Sequence, residues 1–305
     1  MNYRHAYHAG NFADVVKHAI LARILTYMKL KPQPFRVIDT HAGTGRYDLG
    51  GVEASKTGEW RDGIARLTGT ETGTDFTGTD FTGTHFTGQD FTGQGLPADV
   101  AVLLQPYLDV VTSLNVPGAL TVYPGSPVIA RRLMRPGDHL VANELHPDDF
   151  AALKAEFRRV PDTKVLNLDA WVALKSLLPP PERRGVVLID PPYEAAGEFA
   201  HLPDALSEAL KRFATGVYII WYPVKDHDVA DQFVRAASHL SSAKILDVRL
   251  TISRPFAGLG LTETGLLILN PPYSLHGELQ TLMPFLVERL AEGQGASYRL
   301  DLIRD

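Results

Sequence analysis

The chain of 305 residues contains no cysteine. Disulfide bonds, thiolate nucleophiles and thiolate metal ligands are therefore all excluded. Eleven histidines are present, but they are not arranged in an HExxH or similar metal-binding spacing. We predict a protein without a metal site.

Excess positive charge and long apolar runs are also missing. The formal net charge of −5 argues against a protein that coats nucleic acid nonspecifically, because such binding needs many Lys and Arg contacts to phosphates. No apolar run approaches the length that crosses a bilayer, and the first residues lack the basic-then-apolar order of a signal peptide. We therefore expect a cytoplasmic monomer that makes no membrane contact.

Residues 69–95 form a low-complexity repeat in which a phenylalanine recurs every five residues. This spacing fits neither a helical stripe nor strand alternation. An aromatic surface for base stacking is one interpretation, but an expanded low-complexity loop is favoured. We place the repeat in an insertion subdomain over 49–136. Residues 1–48 hold a helix and the start of the core, and 137–305 hold the rest of it.

The remaining sequence has the pattern of an α/β sheet. The segment "GNFADVVKHAILARILTYMKL" has the apolar spacing of an amphipathic helix, and "FRVID" follows it as a short strand. Four further apolar segments, "HLVANE", "TKVLNLD", "GVVLIDPPY" and "GVYIIWYPV", alternate with helices. Their near-continuous apolar character is typical of parallel strands covered on both faces. The last two segments, "AKILDVRLTIS" and "GLLILN", are too close for a crossover helix and should be antiparallel.

Two similar motifs end two of these strands, "DPPY" at 190–193 and "NPPY" at 270–273. In an open parallel sheet, ligands bind beyond the carboxyl ends of the strands. Asp190 ends a parallel strand, whereas Asn270 ends a strand that returns antiparallel to its predecessor and should lie at the opposite edge. The topology therefore selects Asp190 as the candidate active-site residue.

The DPPY motif suits methyl transfer to an exocyclic amine. An adenine amino nitrogen is a poor nucleophile until two acceptors orient its N–H groups, and the Asp190 carboxylate and the Pro191 carbonyl can serve as that pair. Consecutive prolines fix the backbone that carries this carbonyl. The Tyr193 ring can stack on a base taken out of its helix. The structural alternative is a tight proline turn with a buried tyrosine.

Other strand ends carry groups suited to a methyl donor. In "DTHAGTG" at 39–45, Gly43 and Gly45 allow close backbone approach to an adenosyl-methionine. Glu144, at the end of the next strand, suits binding of ribose hydroxyls. Asp169 follows the strand after that. A glycine pair alone is a weak signal. The stronger signal is that each of these groups follows the end of a successive predicted strand.

Taken together, these motifs resemble the bacterial 23S ribosomal RNA adenine-N6 methyltransferase J family. The resemblance runs along nearly the whole chain, through "YRHAYHAGNFADVVKH", "DTHAGTGRY", "YPGSPVIA", "NELHP", "RRGVVLIDPPYE" and the late "NPPY". It implies a Rossmann-like class I methyltransferase with a mostly parallel, seven-stranded sheet and a small helical insertion. The implied cofactor is S-adenosyl-L-methionine and the implied partner is 23S rRNA.

The resemblance also implies roles for individual residues. Those expected around the methyl donor are His18, His41, Gly43, Ser126, Glu144, Asp169, Ala170 and Asp190. Tyr3 is implied as a contact to the substrate RNA. Structural alternatives remain for three of them: His18 could be a packed helix residue, and His41 and Ser126 could cap backbone groups.

Two other functions stay open at this point. A DNA adenine-N6 methyltransferase would use the same pocket chemistry, but we would expect it to carry a target-recognition domain, and the sequence holds no second globular block. A nucleic-acid binding protein linked to DNA uptake would use the DPPY turn only as structure. The sequence favours an RNA adenine-N6 methyltransferase over both.

Overall fold

The computed structural model of this chain describes residues 4–69, 96–194, 198–240, 244–255 and 260–304. Tyr3 and the repeat, apart from its first residue, lie outside these described residues, so the predictions made for them stay predictions. The three-part domain division likewise stays a prediction.

The sequence patterns translate into alternating helices and strands. The helices are α1 (Phe12–Met28), α2 (Val52–Thr57), α3 (Ile64–Thr68), α4 (Ala98–Thr112), α5 (Ser126–Leu133), α6 (Pro147–Glu156), α7 (Ala170–Leu177), α8 (Glu198–Arg212), α9 (His227–Ser238) and α10 (Leu275–Leu290). The strands are β1 (Arg36–Asp39), β2 (Arg46–Asp48), β3 (Val122–Pro124), β4 (His139–Asn143), β5 (Thr163–Leu166), β6 (Gly185–Ile189), β7 (Val217–Pro223), β8 (Ile245–Thr251), β9 (Glu263–Leu269) and β10 (Ser297–Arg304). None of the described helices is long and apolar enough to span a membrane.

The main sheet is mixed, with eight strands in the order β10-β8-β9-β7-β6-β1-β4-β5. The five strands from β7 to β5 run parallel, whereas β9, β8 and β10 join by antiparallel pairing. The mostly parallel α/β fold predicted from the sequence is confirmed. The sheet has one strand more than the predicted seven, because residues 297–304 pair with β8 along an edge. Strands β2 and β3 form a separate antiparallel pair.

Helices cover both faces of the sheet. Successive side chains of β1 point to opposite faces of the sheet, so Val37 belongs to one hydrophobic core and Ile38 to the other. The core that contains Val37 packs under α1, α4, α5 and α10, and the core that contains Ile38 packs under α7, α8 and α9. This layering leaves the carboxyl ends of the parallel strands as the edge where a ligand can reach the sheet.

Helix α1 is confirmed, but its predicted amphipathic character is wrong. The helix is enclosed by the sheet on one side and by α4, α5 and α10 on the others, so nearly all of its residues are buried. The buried set includes the polar residues Asp14, Lys17 and His18, which are 1%, 3% and 1% exposed. Buried polar groups are costly unless they find partners within the protein.

The two Pro-Pro-Tyr motifs lie at opposite edges of the sheet, as predicted. Strand β9 runs antiparallel to β7, so Asn270 lies beside the amino end of β7. Its side-chain amide donates to the carbonyls of Ala214 and Gly216, at 2.8 and 2.7 Å. Asn270 therefore ties two chain segments together at the edge away from Asp190.

Candidate active site

A cavity opens at the carboxyl ends of the parallel strands, where ligands bind in open α/β sheets. The eight residues that the family resemblance places around the methyl donor all line it, namely His18, His41, Gly43, Ser126, Glu144, Asp169, Ala170 and Asp190. Gly45, the second glycine of the predicted donor loop, does not line this cavity. The eight residues lie as far apart as 172 positions in the sequence, and the fold brings them together. Their individual roles stay predictions. Among the described residues, no group of His, Asp or Glu side chains is arranged to hold a metal ion.

Glu144, which follows β4, is fixed in the cavity wall by backbone groups. Its Oε2 accepts from the Gly43 N–H at 2.8 Å, and its Oε1 accepts from the His146 N–H at 2.8 Å. Burial raises the pKa of this carboxyl, and these two N–H groups oppose the rise. Each oxygen still has a lone pair available, so Glu144 can accept hydrogen bonds from a pair of hydroxyl groups.

Asp169 and Ala170 begin helix α7 at another part of the wall. The Asp169 Oδ1 caps the helix by accepting from the N–H groups of Trp171 and Val172, at 3.0 and 3.1 Å. Its Oδ2 accepts no hydrogen bond from the described residues. Asp169 is therefore both a helix cap and a source of one unused acceptor in the cavity.

The structure supports the backbone-capping alternative for His41, whose ring bonds a backbone N–H, but not the one for Ser126. The Ser126 hydroxyl donates to Oδ2 of the buried Asp39 at 2.6 Å. Burial raises the pKa of Asp39 to about 7, although the bond from Ser126 opposes the rise. The His41 Nδ1 accepts from the Asp190 N–H at 3.3 Å, and burial lowers the pKa of His41 to about 4. His41 is thus neutral and linked directly to the DPPY loop.

Asp190 is held by a buried lysine that the sequence analysis did not identify. The Lys17 ammonium lies 2.5 Å from Oδ2 of Asp190 and 2.9 Å from Oδ1 of Asp14, and Asp14 in turn bonds to the ring of His5 at 2.9 Å. Burial alone would lower the pKa of Lys17, but the two carboxylates outweigh it and the net shift is upward. The pKa of Asp14 stays well below its usual range despite burial, because His5 and Lys17 stabilise the anion. The cluster has one cation between two anions.

The signal that could have identified this cluster is the run "ADVVKHAI". It places an acidic, a basic and an imidazole side chain inside a helix that is otherwise apolar on every side. Polar residues in such a helix must be paired in the interior. An amphipathic interpretation assigned them to solvent, so their pairing was missed.

A second, larger cavity meets the first one at Asp190. Asp190, Lys17, His5 and Pro192 line both cavities. Pro192 is the proline in their shared wall, whereas Pro191 is buried and lines neither cavity.

Aromatic rings line the second cavity beyond Pro192. Tyr193 and Trp221 are both in its wall, with ring centroids 5.6 Å apart. The Tyr193 hydroxyl donates to the carbonyl of Trp221 at 2.6 Å. Tyr193 adopts a positive φ of 52° at the end of the DPPY turn. Its ring is therefore held in a fixed orientation next to Asp190.

Comparison with known proteins gives consistent results. The family model described as "Ribosomal RNA large subunit methyltransferase D, RlmJ" matches residues 32–75 and 92–303. The chain is 37% identical to the ribosomal RNA large subunit methyltransferase J of Escherichia coli, over 95% of this chain and 94% of that protein. It is also 37% identical to the enzyme of the same name from Haemophilus influenzae, over 97% and 96% of the two chains.

A solved structure is similar over its full length. The crystal structure of a Legionella pneumophila protein superposes with a TM-score of 0.80 at 32% identity, covering 97% of this chain and 98% of that one. Between residues 75 and 92 the family model has no match. This gap falls inside the phenylalanine repeat.

Proposed function

The chain belongs to the ribosomal RNA large subunit methyltransferase family RlmJ, and from this premise we propose that it methylates the N6 amino group of an adenine in 23S rRNA, with S-adenosyl-L-methionine as donor. The observation that carries the proposal is the position of Asp190 at the junction of two cavities. Methyl transfer requires two substrates to meet at one reacting atom. The junction supplies one place where a carboxylate can contact both.

The first cavity has the groups that S-adenosyl-L-methionine requires. When bound, this cofactor supplies an electrophilic methyl group. The unused lone pairs of Glu144 suit the two ribose hydroxyls. The Asp169 Oδ2 and the N–H of Ala170, at the start of α7, offer an acceptor and a donor side by side for an adenine edge. His18 adds a fully buried ring nitrogen, Nε2, that has no partner in the described part of the chain.

Replacing Gly43 by alanine is expected to weaken binding of S-adenosyl-L-methionine by at least about tenfold. Gly43 has a φ of 59°, and a Cβ there would lie 2.0 Å from the Tyr47 hydroxyl oxygen. The Tyr47 ring or the loop would have to shift, and a shift of the loop would break the bond from the Gly43 N–H to Glu144. A misplaced Glu144 loses hydrogen bonds worth about 1.5 to 3 kcal/mol each for a charged acceptor. Calorimetric titration with the donor measures the change.

Gly118→Ala is the matched control for Gly43→Ala. Gly118 also has a positive φ, 82°, but a Cβ there would meet nothing within 4 Å. Both variants introduce the same backbone strain, so stability should fall in both and donor affinity only in Gly43→Ala. Equal affinities for the donor in the two variants would contradict the role given to the Gly43 loop.

On the acceptor side, Asp190 is prepared to orient an amine. Its Oδ2 is occupied by Lys17, whereas Oδ1 accepts no hydrogen bond from the described residues and can accept an N–H of the adenine amino group. The Pro191 carbonyl stays the predicted second acceptor, although Pro191 is buried and lines neither cavity. Lys17 remains charged, so it acts as a fixed support for the Asp190 carboxylate and not as a base. The Asp190 carboxylate itself stabilises positive charge developing on the amine.

The second cavity suits an extruded base. Enzymes that modify a base take it out of its helix and hold it against aromatic side chains. Tyr193 and Trp221 provide such surfaces, and the hydroxyl bond between them keeps Tyr193 in place. Pro192 forms the floor between these rings and Asp190. These contacts support an unpaired adenine as the substrate.

The test is to incubate the purified protein and labelled donor with 23S rRNA from cells that lack the gene, and in parallel with 16S rRNA and duplex DNA. We expect label in 23S rRNA only, released as N6-methyladenosine on digestion and mass spectrometry. A short stem-loop with its target adenine replaced by guanine should bind comparably and accept no methyl group, because guanine carries an oxygen at that position.

Two outcomes would overturn the proposal. Efficient methylation of duplex DNA with rRNA left unlabelled would favour the DNA methyltransferase. No calorimetric binding of S-adenosyl-L-methionine would favour a non-catalytic binding protein. The monomeric state and the cytoplasmic location expected from the sequence stay predictions.

Excising residues 70–94 is expected to leave both donor affinity and methyl transfer within about twofold of the full chain. The family model matches on either side of this segment, and the cavity-lining residues described above all lie outside it. Loop length has a small thermodynamic effect, about 0.6 kcal/mol for each doubling. Binding of an rRNA fragment, measured by fluorescence anisotropy, provides the check. A tenfold loss of RNA affinity would mean that the phenylalanines stack on bases.

A further inference from the structure

Behind the first cavity, three buried side chains from three different elements are joined by hydrogen bonds. Nδ1 of His18 on α1 lies 2.7 Å from the hydroxyl of Tyr123 on β3. That hydroxyl lies 2.9 Å from the hydroxyl of Tyr107 on α4. All three side chains are at most 1% exposed. This series of hydrogen bonds therefore ends at Tyr107 on one side and at the cavity-lining ring of His18 on the other.

The direction of the hydrogen bonds follows from counting donors and acceptors. If Tyr107 donates to Tyr123 and Tyr123 donates to Nδ1 of His18, then each O–H has an acceptor. In the reverse direction Nδ1 donates to Tyr123 and Tyr123 donates to Tyr107, and the Tyr107 O–H then has no acceptor among the described residues. A buried donor without an acceptor carries the full desolvation cost. The first direction is therefore the stable one.

With that direction, Nδ1 of His18 accepts and the ring hydrogen must lie on Nε2. Burial lowers the pKa of His18 to about 3, so the ring is neutral at neutral pH. Nε2 is also the one nitrogen of this ring without a partner in the described structure. The cavity wall thus contains an uncharged N–H that is not yet used.

We propose that Tyr123 and Tyr107 are positioning residues that hold His18 in its Nε2–H form, so that His18 donates a hydrogen bond to the carboxylate of the methyl donor. This inference rests on the proposed function for the identity of the ligand. It assigns a role in donor binding to α4, a helix that lines no part of the first cavity.

The carboxylate is the group of S-adenosyl-L-methionine that this N–H fits best. The ammonium and sulfonium groups of the donor are cations and do not accept hydrogen bonds. The other charged side chains in the wall are mainly carboxylates, Glu144, Asp149, Asp169 and Asp190, which suit hydroxyls and cations and repel an anion. Lys17 is already occupied by two carboxylates. The neutral imidazole rings of His18 and His41 remain as N–H donors for the anionic end, and Nε2 of His18 is the one that is buried without a partner in the described structure.

The first test measures the His18 ring in the free protein, without any ligand. Nitrogen-15 NMR of histidine-labelled protein distinguishes the two neutral ring forms, and the spectrum of His18→Gln assigns the His18 signal by its loss. We expect the Nε2–H form in the wild type and a mixture of forms in Tyr123→Phe, in which Nδ1 has lost its partner. A hydrogen on Nδ1 in the wild type, or a doubly protonated ring at neutral pH, would overturn the proposal.

The second test compares two ligands that differ in the amino-acid portion. Calorimetry with S-adenosyl-homocysteine and with 5′-methylthioadenosine, which lacks the carboxylate, is carried out on His18→Gln and His18→Asn. The amide of Gln reaches the position of Nε2, whereas the amide of Asn reaches only that of Nδ1. We expect His18→Asn to lose about tenfold or more in affinity for S-adenosyl-homocysteine, His18→Gln to stay within about threefold, and neither to change for 5′-methylthioadenosine.

The variants of the tyrosines complete the test. Tyr123→Phe should weaken S-adenosyl-homocysteine binding about fivefold and Tyr107→Phe by less, again with no change for 5′-methylthioadenosine. An equal loss of affinity for both ligands would mean that the tyrosines only pack the interior, and it would contradict the proposal. If the wild type binds neither ligand, the proposed function fails, while the NMR result on the free protein still decides the form of the His18 ring.

Discussion

Asp190→Ala is expected to lower the rate of methyl transfer by about 100- to 1000-fold, the typical effect of removing one preorganised hydrogen-bonding group at a reacting atom. The protein should remain folded, because Lys17 keeps its second carboxylate partner, Asp14, at 2.9 Å. Single-turnover methylation of an rRNA fragment measures the rate. Thermal unfolding shows whether the variant is folded and as stable as the wild type. Asp190→Asn should retain more activity than Asp190→Ala, since its amide oxygen still accepts a hydrogen bond.

Asn270→Ala is the control for Asp190→Ala, because it alters the other Pro-Pro-Tyr motif at the opposite edge of the sheet. It removes two hydrogen bonds to the carbonyls of Ala214 and Gly216 and should lower stability by about 1 to 2 kcal/mol. Turnover per folded molecule should not change. A selective loss of turnover in Asn270→Ala, or near-full activity in Asp190→Ala, would show that the DPPY turn is not the catalytic one.

Lys17→Met is expected to lower the free energy of unfolding by about 3 to 5 kcal/mol, the usual result of breaking a buried ion pair by removing one partner. The lysine is 3% exposed and separates two carboxylates. Without it, Asp14 and Asp190 face each other with no cation between them, and methionine of similar length cannot neutralise either one. Urea unfolding at neutral pH measures the change, provided that it is reversible and two-state.

The double variant Asp14→Asn/Lys17→Met separates charge from packing. It removes the deeper carboxylate together with the lysine, so one anion is left, and that anion borders the cavities. We expect it to be more stable than Lys17→Met alone, although it carries one more substitution. If the two substitutions destabilise additively, or if Lys17→Met is as stable as the wild type, the electrostatic account of this cluster is wrong.

The strand ends of the site could be predicted because each is a local pattern. An apolar run that stops at Glu144, Asp169 or Asp190 identifies both the strand and the polar group that follows it. The choice between Asp190 and Asn270 needed one more step, the antiparallel return of the last strands, which the short connection between them required. Both steps use residues close together in the sequence.

The groups behind the site could not be predicted in this way. Lys17 meets Asp190 across 173 positions, and His18 meets Tyr123 across 105. The first pair is set by where α1 lies relative to the end of β6, and the second by where α1 lies relative to β3. No periodicity in the sequence encodes those arrangements. The eighth strand also depends on a contact between distant segments. Residues 297–304 become an edge strand because they pair with the open side of β8.

The shared wall of the two cavities has a pharmacological consequence. Because Pro192 and Asp190 border both spaces, a single compound that joins an adenosyl amino acid to an adenine through a short linker would occupy both at once. Once one half is bound, the other half is held at a high effective concentration near its own space, so the joined compound should bind far more tightly than either fragment. Inhibitors of this kind would bind more weakly to enzymes that use the same cofactor but lack the adjoining aromatic cavity.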